Sequence, residues 1–155
     1  MKNLVVVDID GTLSDASERA AKYLSQEPKD WDGFYAACGD DKPIKPVIKV
    51  VEEFSQTNYI VFCTGRRESC SRDTFKWLYK HVHLHGNNQN PAKVVMYRKD
   101  GDKRHDTIVK PEMLREYLSQ HPEYRVLCIL EDRNSMVAKW RELGYTCLQV
   151  AEGDF

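Results

Sequence analysis

Short β-branched apolar runs recur along the chain at Leu4 to Val7, Tyr59 to Cys63, Val94 to Tyr97, Val126 to Leu130 and Thr146 to Val150. Most are apolar on consecutive positions rather than alternate ones, the pattern of strands buried on both faces. Helical periods separate them. Val47, Val50, Val51 and Phe54 follow the i, i+3, i+4, i+7 spacing, and Met136, Val137, Trp140 and Leu143 form a second stripe. Lys110-Pro111-Glu112 opens a third helix, with proline at its first position and Met113, Leu114, Tyr117 and Leu118 facing inward. No strand candidate falls between Ser14 and Lys45, where Ala16 to Leu24 reads as helix and Trp31, Phe34, Tyr35 and Cys38 as another short one.

Strands that alternate with helices imply right-handed crossovers and a parallel sheet. The expected architecture is therefore α/β, a three-layer α/β/α sandwich around a mainly parallel, Rossmann-like sheet. A chain of 155 residues fits a single domain, here 1–155, with a small lid around 14–45. Sheets of this kind bind ligands beyond the carboxyl ends of their strands. Asp8 with Asp10, Thr64 with Gly65, and Glu131 with Asp132 each follow a strand run directly, so parallel strands bring all three pairs to one edge. Antiparallel strands would scatter them.

Charge changes this picture little: 23 basic residues against 24 acidic ones argue neither for bulk coating of nucleic acid nor for membrane attachment. Cys38, Cys63, Cys70, Cys128 and Cys147 are odd in number and include no Cys-x-x-Cys pair, so they read as buried thiols in a reducing compartment. The apolar run at the N-terminus spans only Leu4 to Val7, too short for a signal peptide or a membrane span. On these features a cytoplasmic protein is expected.

The chemistry is concentrated at the strand ends. Asp8-Ile9-Asp10-Gly11-Thr12-Leu13 sets two like charges two residues apart, an arrangement that calls for a cation or a proton between them. Asp8 is the candidate nucleophile for in-line attack on phosphorus, giving an aspartyl-phosphate that water hydrolyses. Asp10 is the candidate general acid for the leaving oxygen and then the base for water. Gly11 permits a sharp turn, and Thr12 can hold that turn through its hydroxyl. A plain Asx-turn is the alternative. A calcium loop is not, because Arg19 stands where its twelfth-position glutamate belongs.

Thr64-Gly65-Arg66 offers a hydroxyl, a backbone amide and a guanidinium to a phosphate, and Lys110 adds a positive charge at a helix start. Glu131 and Asp132, with Asp8 and the Asp10 carbonyl, make an oxygen-rich set suited to magnesium. Read alone, these segments are a turn, a solvated lysine and a helix N-cap region. Arg98 to His105 carries four basic and two acidic residues, which reads equally as a solvated loop or a phosphate contact. Trp31, Phe34 and Tyr35 either pack the lid or stack a base. His81, His83 and His85 would converge on a metal only if extended, and before Gly86-Asn87-Asn88 they read as a loop.

In the order nucleophile pair, Thr-Gly, lysine, acidic pair, these motifs resemble the haloacid dehalogenase superfamily of phosphatases, matched at Asp8 to Leu13, Thr64 to Arg66, Lys110 and Glu131-Asp132. A closer resemblance lies in Thr64-Gly65-Arg66-Arg67-Glu68, Met96 to Asp106, Glu131-Asp132-Arg133, Met136 to Gly144 and Gln149 to Phe155. These segments are similar to the 3′-phosphatase domain of phage polynucleotide kinase 3′-phosphatases. The resemblance implies magnesium-dependent removal of 3′-phosphate, and often 2′,3′-cyclic phosphate, from DNA or RNA ends, beside a separate kinase or ligase. By the same resemblance Arg66 and Arg98 contact substrate, and Asp106 supports Lys110 or an arginine. No Gly-x-x-x-x-Gly-Lys-Ser/Thr loop occurs, so ATP-dependent 5′-phosphorylation is not expected. Glu131 stands where the family has aspartate and is longer by one methylene, which makes Asp132 the preferred ligand. A nucleotidase or other small-metabolite phosphatase, and a non-catalytic binding module, are the alternative readings.

Overall fold

The computed structural model describes residues 1–86 and 94–155; Asn87 and Asn88 lie outside the described residues. Five strands, β1 (Lys2–Val7), β4 (Tyr59–Arg67), β5 (Val95–Arg98), β6 (Tyr124–Arg133) and β7 (Cys147–Gly153), form one sheet in the order β5-β4-β1-β6-β7. Every pairing is parallel. Taken in chain order the pattern is the doubly wound one, and the strand order reverses at β1.

Alternation along β1 builds two cores. Val5 and Val7 point into one with Ile48 and Val51 of α3 (Lys45–Phe54) and Trp77 and Leu78 of α4 (Ser71–His81). Leu4 and Val6 point into the other with Leu114 of α5 (Asp106–Gln120) and Met136, Val137 and Trp140 of α6 (Asn134–Glu142). The sheet is thus the middle of three layers, and β1 is buried on both faces because each face meets helices. Exposure remains on the edge strand β7, at Leu148, and in the first half of β6, at Leu127.

Several sequence expectations shift here. The inward stripe of α3 is Val47, Ile48, Val51 and Phe54, while Val50 is exposed. Leu143, likewise exposed, lies just past the end of α6. Pro111 does not open α5: the helix starts at Asp106, N-capped by His105, whose side chain accepts from Thr107 N, so Pro111 lies inside it. The stretch from 14 to 45 holds two strands of two residues each, β2 (Ser14–Asp15) and β3 (Lys42–Pro43), paired antiparallel. Between them run α1 (Ser17–Tyr23), α2 (Trp31–Ala36) and a 3-10 turn, Cys38–Asp40. Strands this short leave no hydrophobic period to read. All five cysteines are buried and free. Among the described residues no helix is long and apolar enough to cross a membrane.

Candidate active site

The site lies where the strand order reverses, beyond the carboxyl ends of β4, β1 and β6. Asp8 directly follows β1, and its amide donates to Leu130 O on β6 at 3.0 Å. Gly11 then turns the chain with φ +84°, and a Cβ there would lie 2.1 Å from Oδ2 of Asp132. The position needs glycine for its backbone angle and equally for room beside the carboxylate.

The two neighbouring strands are irregular where they supply the site. The β4–β5 register shifts between Cys63 and Arg67, and the β6–β7 register between Glu131 and Arg133. Such bulges re-aim side chains that a regular pleat would send into the core. Thr64, Gly65 and Arg66 fall in the first, and Glu131 and Asp132 lie at the second.

Asp8 is gripped on both oxygens. Lys110 Nζ donates to its Oδ1 at 2.6 Å and Thr12 Oγ1 to its Oδ2 at 3.0 Å. Thr12 also reaches Asp132 Oδ1 at 3.3 Å, so its hydroxyl ties the turn back to Asp8 and also meets the second carboxylate. Lys110 is shared with Glu131, Nζ to Oε2 at 2.9 Å, and the other Glu131 oxygen accepts from the amides of Asp132 and Arg133 at 3.2 and 3.4 Å. Lys110 sits one turn inside α5, where the two carboxylates outweigh burial and hold its pKa well above the ordinary lysine value.

Ligand oxygens of Asp8, Glu131 and Asp132 lie within 4.8 Å of one another, and all three residues are buried. Burial first, then Glu131, pushes Asp8 up to about 7 despite Lys110. Burial and Asp8 push Asp132 up to about 6. Three buried carboxylates facing one ammonium form an anionic cluster made of oxygen alone, the donor set a hard divalent cation accepts. Glu131 is spent on Lys110 and two amides, whereas Asp132 has only the long contact from Thr12 and its own neighbours, so Asp132 is the freer ligand.

Asp10 sits differently. Its carboxylate accepts from Arg66 Nη2 at 2.6 Å and Nε at 3.1 Å, from Arg19 Nη2 at 2.7 Å and from Ser14 Oγ at 3.1 Å. Burial acts to raise its pKa, but Arg66 and then Arg19 more than offset it and hold the group far below the usual carboxylate range. Asp10 is an ionised carboxylate here, the form that accepts a proton.

Two residues expected to meet substrate are committed elsewhere. Arg66 is fully buried and donates to Asp10, to Thr74 Oγ1 at 3.1 Å, to Ser14 Oγ at 3.2 Å and to Asp41 Oδ2 at 3.4 Å. Arg98 donates to Gly65 O at 3.1 Å, to Asp102 O at 3.0 Å, to Arg104 O at 2.6 Å and to Asp106. A buried guanidinium is tolerated only with its donors paired, and these partners supply that pairing. Asp106, expected to support Lys110 or an arginine, bridges Arg98 and Arg133, the latter at 3.1 Å. Thr64 Oγ1 accepts from Arg66 N at 3.1 Å and keeps its proton for another acceptor. Gly65 is pressed against Asp106, whose Oδ1 would lie 2.8 Å from an added Cβ. Lys99 and Lys103 of the basic loop are exposed, and Arg104 pairs with Asp102 and Glu112.

Arg19 and Asp41 are the site residues that the sequence reading missed. Arg19, on lid helix α1, grips Asp41 with two bonds of 2.6 Å and passes under the Phe34 ring at 4.2 Å. One signal was available: Arg19 falls on the inward side of a helix whose period is marked by Ala16, Ala20 and Tyr23. A charge in that position points to a buried partner.

A family model described as the polynucleotide kinase PNKP phosphatase domain matches residues 2–155. Among solved structures, a chain of the Pnkp1/Rnl/Hen1 RNA repair complex is 28% identical with a TM-score of 0.77; the match covers 100% of this chain and 44% of that one. The chain therefore spans less than half the length of that relative. A class C acid phosphatase from Bacillus anthracis shares the fold at 20% identity and TM-score 0.59, over 87% of this chain and 53% of its own. A haloacid dehalogenase-like hydrolase from Streptococcus pneumoniae does so at 17% and 0.62, over 96% and 84%.

Proposed function

The chain belongs to the polynucleotide kinase PNKP phosphatase domain family and is a phosphatase; from this premise we propose that it removes 3′-phosphate from nucleic-acid ends through an aspartyl-phosphate on Asp8, with magnesium as cofactor. The observation that carries the reading is the setting of Asp8: buried at the strand-order reversal, held by Lys110 and Thr12, with Asp132 beside it. Residues 1–155 act as one phosphatase domain, and a lid as small as 14–45 favours a polymer end over a substrate enclosed in a deep capped pocket.

Lys110 and Thr12 fix the carboxylate for in-line approach, and an oxygen of Asp8 bonds to phosphorus as the bond to the 3′ oxygen breaks. The Thr64 hydroxyl and the Gly65 amide are assigned to the phosphoryl oxygens. Asp10 gives the departing oxygen its proton, for which it must let go of Arg66 or Arg19 while protonated. As the ionised group the two arginines favour, it then takes a proton from water, which attacks phosphorus, releases inorganic phosphate and restores Asp8. Asp132, Asp8 and the Asp10 carbonyl would hold magnesium, with Glu131 beside them. When bound there, the ion would supply Lewis-acid stabilisation of the charge on the phosphoryl oxygens.

The likeness to a chain of an RNA repair complex supports RNA among the substrates, and a separate kinase or ligase as co-worker. Five buried thiols support the cytoplasm as the working compartment. Phosphate release from 3′-phosphorylated RNA and DNA oligonucleotides and from mononucleotides, with and without magnesium, tests the reading. A higher kcat/KM on the oligonucleotides, dependent on magnesium, is the expected result. Equal values on mononucleotides would assign the chain to small metabolites, and release from none would leave a binding module.

A further inference from the structure

The lid carries an exposed aromatic ring whose surroundings are built for something other than packing. Trp31 opens α2 with 43% of its surface exposed, although tryptophan is highly buried on average. Its ring stacks on Tyr35 one turn later, centroids 6.2 Å apart and planes at 29°. Buried Phe34 braces both edge-on, at 5.9 and 5.5 Å. Cations flank the pair: Lys29 Nζ lies 6.0 Å from the Trp31 ring and the Arg67 guanidinium 4.8 Å from the Tyr35 ring.

We propose that Trp31 and Tyr35 form a stacking platform for a nucleobase near the 3′ end of the strand being dephosphorylated, with Lys29 and Arg67 serving its backbone phosphates. The inference rests on the polynucleotide reading above.

Three observations tie the platform to the site and to this occupant. Arg67, which faces the Tyr35 ring, directly follows Arg66, which grips Asp10, so the platform adjoins the strand end that carries the reaction centre. Burial, and after it the Asp106 carboxylate, raises the Tyr35 hydroxyl pKa, which places that hydroxyl in electrostatic reach of the same centre. Arg67 is paired with Asp32 at 2.5 Å, and the Asp32 side chain is 87% exposed, so a backbone phosphate can replace that carboxylate without opening the core. The sequence neighbours of Trp31 are Asp30, Asp32 and Lys29, too polar a rim for an apolar protein partner. A ring flanked by cations is how proteins hold single strands irrespective of sequence, since every base has a π-face.

Trp77 and Trp140 are buried, so Trp31 is the one tryptophan of the chain open to solvent and its fluorescence reports the platform directly. In an Asp8→Asn protein, expected to bind substrate with turnover suppressed, a 3′-phosphorylated oligonucleotide should shield this tryptophan from acrylamide, and inorganic phosphate should not. Kinetically, Trp31→Ala should lower the ratio of kcat/KM for that oligonucleotide to kcat/KM for p-nitrophenyl phosphate about tenfold, mainly through KM, and Trp31→Phe should restore most of it. An unchanged ratio, or unshielded fluorescence, in a protein that clearly prefers the oligonucleotide would overturn the platform and leave the phosphatase reading standing. A parent protein with no preference for the oligonucleotide would overturn both.

Discussion

Asp8 and Asp10 stand two residues apart, yet their carboxyls shift in opposite directions: burial and then Glu131 raise Asp8, whereas Arg66 and Arg19 outweigh burial and lower Asp10. The arrangement makes Asp8 the group whose loss is least tolerable. Asp8→Asn should lower phosphate release at least about 10³-fold while the thermal transition stays cooperative, since Lys110 keeps Glu131 as a partner. Substantial residual turnover in a purified variant would remove Asp8 from the nucleophile role. Thr12 tests the support around it. Thr12→Val keeps the shape and deletes the hydroxyl shared by Asp8 and Asp132, so magnesium affinity measured by activity titration should weaken about 10- to 100-fold. The chemistry-bearing residues were legible in the sequence because Asp-x-Asp-Gly, Thr-Gly and the acidic pair follow strand runs. What each arginine touches was not: a local pattern says that a guanidinium is near the site and nothing about which carboxylate, 56 residues away in the case of Arg66 and Asp10, neutralises it.

Between elements, Arg98 behaves as a strap. From the end of β5 it bonds Gly65 O on β4, two carbonyls of the loop that follows, and Asp106 in the first turn of α5. It fixes the start of the helix that delivers Lys110. Arg98→Ala should therefore destabilise the fold by about 3 kcal/mol in denaturant titration, leaving carbonyls unpaired and Asp106 with Arg133 alone. The KM of the folded fraction should hold, whereas a large KM increase at undiminished stability would restore Arg98 as a substrate contact. The same element shows where pattern reading runs out. The inward residues of α5 follow from their period, but its first turn, Asp106 to Val109, is set by the His105 cap and by Asp106 meeting two arginines, neither of which leaves a hydrophobic period. Proline at 111 drew the expected start five residues too late.

Across the whole molecule, the doubly wound sheet was legible because consecutive apolar runs admit few architectures, and parallel crossovers then force the three acidic and hydroxyl pairs to one edge. The tie between lid and sheet, Arg19 and Asp41 with Asp10 and Arg66, depends on the finished fold. Folding gathers Asp8, Glu131 and Asp132 against a single lysine, and the unfolded chain disperses them, so a divalent cation that binds the cluster binds the folded state alone. Such a ligand stabilises by mass action: magnesium at a hundred times its dissociation constant adds about 2.7 kcal/mol, roughly 5–10 °C in Tm for a chain of this size. Asp132→Asn should act in two opposite directions. Removing one of three like charges from a buried cluster should raise Tm without magnesium, and removing the freer ligand should abolish most of the magnesium-dependent rise. Differential scanning calorimetry of both proteins over a magnesium series separates these effects. A rise of equal size in the variant would mean that the cation stabilises the fold from somewhere other than the edge where Asp8 stands.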